Sequence, residues 1–137
     1  MLDTSVAVPL LMAAHPDHDC VAAWARGKRL ALAAHSCAET YSVLTRLPGD
    51  SRLAAEDAAD LIDRRFPSVV SLPHHLEGRI HQVLAELSVT GGAVYDALVA
   101  LAAVENSVPL ATRDRRALPT YQSVGAKIAL VPDSGSA

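Results

Sequence analysis

Residues 95–114 have the sequence YDALVALAAVENSVPLATRD, which joins a helix pattern to a short strand pattern. Apolar side chains recur at helical spacing over residues 95–106, and the apolar segment 109–112 follows after a turn. Asp96 stands at the start of the helix, and Asp114 lies just beyond the strand. A strand that follows a helix of this length is typical of the crossover unit of a parallel α/β sheet.

The same alternation of strands and helices extends over the whole chain. It predicts an α/β fold, a three-layer α/β/α sandwich with a central parallel sheet of four to five strands. We expect a single domain over residues 1–131 and a frayed tail over residues 132–137. The other predicted strands are residues 1–2, 29–33, 68–71 and 127–131, and the other predicted helices are residues 6–14, 16–26, 37–47, 54–65 and 76–88.

The composition of the 137 residues excludes a disordered chain, because 50% are hydrophobic and only 20% are charged. The formal charge of −3 offers no basic stripe, and an aromatic content of 4% predicts no platform on which bases could stack. No stretch reaches the length of a membrane span, and the first residues lack a signal-peptide pattern. Cys20 and Cys37 are expected to be free thiols, so we expect a cytoplasmic protein without a membrane partner.

Four carboxylates are predicted to meet at one edge of the sheet. Asp3 and Asp114 follow strands, Glu39 lies in the first turn after a strand, and Asp96 opens a helix. Because ligands of open α/β sheets bind at the carboxyl ends of the strands, these side chains would surround one pocket. Four like charges repel unless a cation neutralises them, and Mg²⁺ or Mn²⁺ prefers oxygen ligands of this kind. A cation held there can activate water for phosphodiester hydrolysis.

Each of these carboxylates also fits a purely structural role. Asp3 could cap a helix, Asp114 could cap the turn that follows it, and Asp96 could complement a helix dipole. Residues 36–39, SCAE, match a capping box in which Glu39 would bond back to the helix start. Taken singly, each acid fits the capping interpretation better than the metal interpretation, and only the joint placement at one sheet edge favours the metal.

The residues around these acids resemble the four acidic motifs of PIN domains, and more narrowly those of VapC-type ribonuclease toxins. The resemblance implies an endoribonuclease dependent on Mg²⁺ or Mn²⁺ that cuts structured RNA such as tRNA or rRNA. It also implies a homodimer and silencing by a cognate VapB-like antitoxin of a type II toxin–antitoxin system. The motifs occur in order along the chain as DTSV at residues 3–6, AETYSVLTRLP at residues 38–48, YDAL at residues 95–98 and TRD at residues 112–114.

The resemblance also assigns roles to individual residues. Asp3, Asp96 and Asp114 would be the main metal ligands, and Glu39 would bind the metal directly or through water. Only Met1 and Leu2 precede Asp3, so the first strand is expected to be very short. Either the natural start lies upstream or the terminal amine stands roughly 7 Å from Asp3, at about 3.3 Å per residue.

Two hydroxyls and four arginines complete the predicted site. Assigning the four acids to the site leaves eleven acids against twelve bases, so the acidic balance does not exclude RNA. RNA would then be held by the metal and by arginines, which suit bidentate phosphate contacts. The supporting hydroxyls are Ser5 and Thr112, and the candidate RNA-binding residues are Arg46, Arg113, Arg115 and Arg116.

Three alternatives remain open at this point. A solitary PIN nuclease of RNA processing would share the site but have no antitoxin. A receiver-like regulatory domain would bind Mg²⁺ and accept phosphate, although residues 71–73 offer no acceptor aspartate after the third strand. A phosphatase resembling the haloacid dehalogenases would need a second aspartate at position 5, where this chain has Ser5.

Overall fold

A computed structural model describes residues 1–135 of the chain. A short 3-10 turn at Gly49–Ser51 separates the third and fourth helices. The helices are α1 (Thr4–Leu11), α2 (His18–Ala25), α3 (Ala34–Leu44), α4 (Ala55–Arg65), α5 (His74–Glu77), α6 (Ile80–Glu86), α7 (Ala93–Glu105) and α8 (Leu118–Val124). The strands are β1 (Leu32–Ala33), β2 (Val69–Val70), β3 (Leu110–Thr112) and β4 (Ile128–Leu130).

The strands form two parallel pairs, β1 with β2 and β3 with β4. Leu2 joins the pairs through isolated parallel bridges to Leu32 and to Ala111. The Leu2 amide donates to the carbonyl of Ala31 at 2.8 Å, and the Ala111 amide donates to the carbonyl of Met1 at 2.8 Å. The predicted α/β class is confirmed, and the strands are shorter than the sequence pattern indicates.

Neighbouring residues of a strand pack into different apolar clusters. Leu32 and Ala111 belong to a cluster with residues of α1, α2 and α4, whereas Ala33 and Leu110 belong to one with residues of α7 and α8. Successive side chains of a strand point in opposite directions, so the neighbouring residues of β1 and of β3 contact different groups of helices. Every residue of β1 and β3 is buried, which explains why these two strands show no alternation of apolar and polar residues.

Three local predictions differ from the structure. The predicted helix over residues 76–88 is divided into α5 and α6, because Gly78 ends α5. The predicted capping box at residues 36–39 is wrong, since α3 already begins at Ala34 and has no side-chain cap. Helix α8 was not predicted: its Pro119 reads as a helix breaker but lies in the first turn, where proline is tolerated.

Both ends of the chain contact the fold within the described residues. The amine of Met1 donates to the carbonyl of Pro109 at 2.8 Å. Asp133 pairs with Arg113, and the Ser134 amide donates to Asp17. Residues 136–137 of the predicted tail lie outside the described part of the chain, and the domain boundary at residue 131 stays a prediction. Within residues 1–135, no helix has the length and apolar character needed to cross a membrane.

Candidate active site

A cleft of about 220 Å³ opens at the edge of the sheet where Leu2 and β3 end. All four predicted carboxylates line this cleft, together with hydroxyl and aromatic side chains. The carboxylates come from four separate places in the chain: Asp3 precedes α1, Asp96 lies in the first turn of α7 and Asp114 follows β3. Glu39 lies in the second turn of α3, one turn further along than the sequence pattern predicts. The acidic residues of the cleft are Asp3, Glu39, Asp96 and Asp114.

Asp3 is the most buried of the four carboxylates, with 5% of its surface exposed. Its carboxylate does not cap α1, so the capping interpretation fails here. The Ser5 hydroxyl donates to Oδ1 at 2.6 Å, and the Tyr121 hydroxyl donates to Oδ2 at 3.0 Å. Burial raises the pKa of Asp3, and the hydrogen bonds from Ser5 and Tyr121 oppose that rise. Both oxygens are therefore held in a fixed orientation.

Asp96 lies in the first turn of α7, which has no side-chain cap. Burial raises the pKa of Asp96, and the negative charges of Asp114, Glu39 and Asp3 raise it further. A carboxylate that is destabilised by three others marks a place where a positive charge would be strongly favoured. Such a perturbed acid in a cleft is a candidate for a functional role.

Asp114 and Glu39 are already engaged by neighbours. The Arg116 guanidinium contacts both carboxylate oxygens of Asp114, each at 3.1 Å, and lowers the pKa of that carboxyl. Because the Arg116 side chain is 92% exposed, this ion pair is weak and exchangeable. The Thr4 hydroxyl donates to Glu39 at 2.6 Å.

The two predicted supporting hydroxyls link Asp3 to the loop that carries Asp114. Ser5 Oγ, which donates to Asp3, accepts from the Arg113 amide at 2.8 Å and lies 3.4 Å from Thr112 Oγ1. Thr112 Oγ1 in turn accepts from the Asp114 amide at 3.0 Å. Both hydroxyls thus connect side chains and backbone across the base of the cleft.

Tyr121 and Ser36 are among the residues of the cleft that sequence reasoning did not assign to the site. Tyr121 belongs to α8, the helix that was not predicted, and burial together with the charge of Asp3 raises its pKa. The phenol therefore stays protonated and remains a donor to Asp3. Ser36 is fully buried, lines the cleft and has an Oγ without a hydrogen-bond partner among the described residues.

The four predicted RNA-binding arginines lie in different environments. Arg115 and Arg116 are exposed and line an open groove of about 420 Å³ that shares Ser5 and Asp114 with the cleft. Arg46 is exposed beyond the end of α3 and outside the lining of the cleft. Only the pair Arg115 and Arg116 is therefore placed to meet a phosphate near the carboxylates.

Arg113 corrects the sequence interpretation. Its side chain is 10% exposed, and its guanidinium pairs with Asp17 at 2.6 Å and with Asp133 at 2.9 Å. These carboxylates lie before α2 and after β4, so Arg113 ties two distant segments to the loop of Asp114. A guanidinium engaged in this way is a structural clamp and is not free to bind RNA.

Replacing Arg113 by Ala is expected to lower the melting temperature at pH 7, because Asp17 and Asp133 lose their partner. Hydrogen bonds from Ser134 and Arg113 hold the pKa of Asp17 well below its usual range. A depressed carboxyl pKa stabilises the folded state above about pH 4 and stops doing so as the pH falls further. The difference in melting temperature between Arg113→Ala and the wild type should therefore become smaller below about pH 4.

Thermal melts followed by circular dichroism over a pH series measure this effect. Arg115→Ala is the matched control, because Arg115 is exposed and adjacent to the same loop. Equal melting temperatures for Arg113→Ala and Arg115→Ala at pH 7 would contradict the clamp.

The cleft fits a hard divalent cation in donor type and in charge. It offers four carboxylates and the unpartnered hydroxyl of Ser36, all oxygen donors. As the side chains stand, no group of three or more His, Cys, Asp or Glu residues within residues 1–135 is arranged to hold a metal ion. Asp114 contacts Arg116 and Glu39 contacts Thr4, so both acids face other partners.

Comparison with known proteins identifies the class to which this fold and cleft belong. The sequence model of the PIN domain matches residues 1–122, a span that contains all four carboxylates and Tyr121. Ribonuclease VapC27 of Mycobacterium tuberculosis is 52% identical over 127 residues, which cover 93% of this chain and 93% of that protein. Ribonuclease VapC40 of the same organism is 40% identical over 130 residues, which cover 94% of this chain and 96% of that protein. The chain therefore belongs to the PIN-domain family and, within it, to the VapC ribonucleases.

The resemblance predicted from the four acidic motifs is thus confirmed. Membership of this family also removes the receiver-like and phosphatase alternatives, because neither class is built on a PIN domain.

Proposed function

We propose that the protein is a Mg²⁺- or Mn²⁺-dependent endoribonuclease, the toxin of a type II toxin–antitoxin system, which hydrolyses phosphodiester bonds in structured RNA such as tRNA or rRNA. The observation that carries this proposal is the meeting of four carboxylates in one cleft, where burial and then the charges of the other three raise the pKa of Asp96. Membership of the VapC ribonucleases supports the reaction type.

In this proposal Asp3, Asp96 and Asp114 hold the metal, and Glu39 binds it directly or through water. A cation held by these residues would supply a water of lowered pKa and would stabilise charge on the phosphate. Ser5 and Tyr121 orient Asp3 through their hydrogen bonds, so that this ligand need not reorganise. Thr112 holds the backbone of Asp114 in the same way.

Arg115 and Arg116 are proposed to bind RNA phosphates beside the carboxylates. Arg116 is paired with Asp114 and highly exposed, so it can exchange this carboxylate for a phosphate of the substrate. The exchange would free Asp114 at the same time as RNA arrives. Nothing in the placement of Arg46, outside the cleft, supports an RNA contact for that residue.

The proposal includes a cognate VapB-like antitoxin, a homodimer, a cytoplasmic location and the three-layer arrangement of the fold. Relatives that carry the VapC name and match over nearly their whole length support the toxin assignment. The unpaired state of Cys20 and Cys37 is consistent with a reducing compartment. Packing of Leu32 and Ala33 into different clusters supports a sheet covered by helices on both faces, with Leu2 as its fifth and central strand.

Cleavage of purified total RNA by the purified protein in Mg²⁺ or Mn²⁺ tests the function. We expect a small set of discrete fragments whose ends map to defined positions in tRNA or rRNA. Uniform degradation or intact RNA under both metals would contradict the proposal. Growth arrest on expression, relieved by co-expression of an antitoxin from a short reading frame found just upstream, would distinguish a toxin from a solitary nuclease of RNA processing.

Replacing Tyr121 by Phe is expected to weaken Mn²⁺ binding by about tenfold, the usual consequence of losing a hydrogen bond to a metal ligand. The substitution removes only the hydroxyl that donates to Asp3 and keeps the buried ring. Isothermal titration with Mn²⁺ measures the change independently of RNA cleavage. Equal Mn²⁺ affinity of the variant and the wild type would show that Tyr121 does not position Asp3.

A further inference from the structure

The rim of the cleft carries an aromatic pair that the proposed hydrolysis does not use. The ring of His35, near the start of α3, stacks on the ring of Tyr95 in the first turn of α7. The ring centroids are 5.4 Å apart and the ring planes differ by 16°. Both side chains line the cleft together with the four carboxylates.

Tyr95 is exposed although it is a large apolar side chain. Its exposed fraction is 60%, the highest among the exposed large hydrophobic residues of the described chain. Because His35 covers one face of the ring, the exposed surface lies on the opposite face and at the edge. The cleft therefore presents one free aromatic face, backed by a second ring.

The sequence predicts no aromatic platform in the protein, and the placement of Tyr95 at the cleft leads to a different proposal. The prediction rested on an aromatic content of 4%, which indeed rules out a row of stacking residues. Composition does not report position, however, and a single ring next to the reacting phosphate is enough to hold one base.

We propose that the free face of Tyr95 stacks against an unpaired nucleobase of the nucleotide adjacent to the scissile phosphate. The proposal rests on the ribonuclease function proposed above. Tyr95 lines the same cleft of about 220 Å³ as the four carboxylates, so a base on this ring belongs to a nucleotide whose phosphate can reach them. Unstacked bases of RNA loops are commonly held on aromatic side chains in this way.

His35 acts as a positioning residue in this arrangement. A ring that is already stacked on one face loses less conformational freedom when a base covers the other face. Stacking of this kind tolerates every base, because each base has a π-face. The platform therefore selects for an unpaired nucleotide at the cleavage site and not for one particular base.

Fluorescence anisotropy with two labelled probes tests the platform. One probe is a short single-stranded oligoadenylate, and the other is an abasic ribose-phosphate chain of the same length. All proteins contain Asp96→Asn so that the RNA stays intact. Tyr95→Ala and Tyr95→Leu remove the aromatic ring, Tyr95→Phe keeps it, and Tyr41→Ala removes an exposed tyrosine of α3 that does not line the cleft.

We expect Tyr95→Ala and Tyr95→Leu to weaken oligoadenylate binding by about tenfold, within the range measured for base–aromatic stacking. Binding of the abasic probe should change less than about twofold, since phosphate contacts are unaffected. Tyr95→Phe and Tyr41→Ala should bind both probes like the parent protein. Two variants without the ring keep the test conclusive if one of them does not fold.

Three results would overturn the platform: unchanged oligoadenylate binding in Tyr95→Ala and Tyr95→Leu, an equal loss on the abasic probe, or a loss in Tyr95→Phe as large as in Tyr95→Ala. Cleavage of RNA by the protein with Asp96 intact is measured separately. If the protein does not cleave RNA but oligoadenylate binding still depends on Tyr95, the nuclease function is overturned. If the protein cleaves RNA but oligoadenylate binding does not depend on Tyr95, only the platform is overturned.

Discussion

Asp96→Asn is expected to reduce the rate of RNA cleavage by at least about 100-fold. Loss of a residue that only hydrogen-bonds to a metal ligand typically costs about 10–100-fold in metal affinity or activity, and loss of a ligand itself should cost more. The substitution keeps the size of the side chain and removes the charge that the other three carboxylates already oppose. An amide oxygen is a weaker ligand for a hard cation than a carboxylate. Initial rates on a mapped RNA substrate at saturating Mg²⁺ measure the loss.

The fold of the Asp96→Asn variant should remain intact, and its stability without metal should increase at neutral pH. Burial and three like charges raise the pKa of Asp96, so the folded state binds its proton more tightly than the unfolded state does. The charged form therefore destabilises the fold as the pH rises through the raised pKa, and asparagine avoids that penalty. A higher melting temperature together with lost activity would separate a functional role from a structural one.

Asp60→Asn is the matched control, because Asp60 is an exposed carboxylate of α4 outside the cleft. It should cleave RNA at the wild-type rate and melt at the wild-type temperature. If Asp96→Asn also cleaved at that rate, the proposed site would be wrong even though the family assignment would stand.

The placement of the four carboxylates could be predicted because it depends on local patterns. Asp3 and Asp114 follow apolar segments, and Asp96 lies at the start of an apolar helix pattern, so strand ends and helix starts are visible in the sequence. Parallel topology then brings these ends to one edge without any knowledge of side-chain contacts. The roles of these residues need the experiments above.

Contacts between distant residues could not be predicted in the same way. The clamp of Arg113 depends on Asp17 and Asp133, which the fold brings beside it from other segments. A basic residue next to an acidic motif looks like a phosphate ligand until its partners are known. Tyr121 was missed for a related reason, since its hydrogen bond to Asp3 spans 118 positions of the chain.

Removal of divalent metal with EDTA is expected to stop RNA cleavage, and excess Mg²⁺ or Mn²⁺ is expected to restore it. Without a cation the cleft holds four carboxylates. Asp114 pairs with Arg116, whereas Asp96 is destabilised by the charges of the other three carboxylates. EDTA saturated with Mg²⁺ beforehand is the control and should leave the rate unchanged. Cleavage that persists at the wild-type rate in metal-free EDTA would contradict metal dependence.

Binding of the metal should also be visible without RNA. A ligand that binds only the folded state at about 100 times its Kd stabilises that state by about 2.7 kcal/mol, so Mg²⁺ or Mn²⁺ should raise the melting temperature of the wild type. Asp96→Asn should lose most of this increase, whereas Asp60→Asn should keep it, because only Asp96 faces the other carboxylates of the cleft. An equal increase in both variants would place the metal outside the cleft, even if EDTA stopped cleavage.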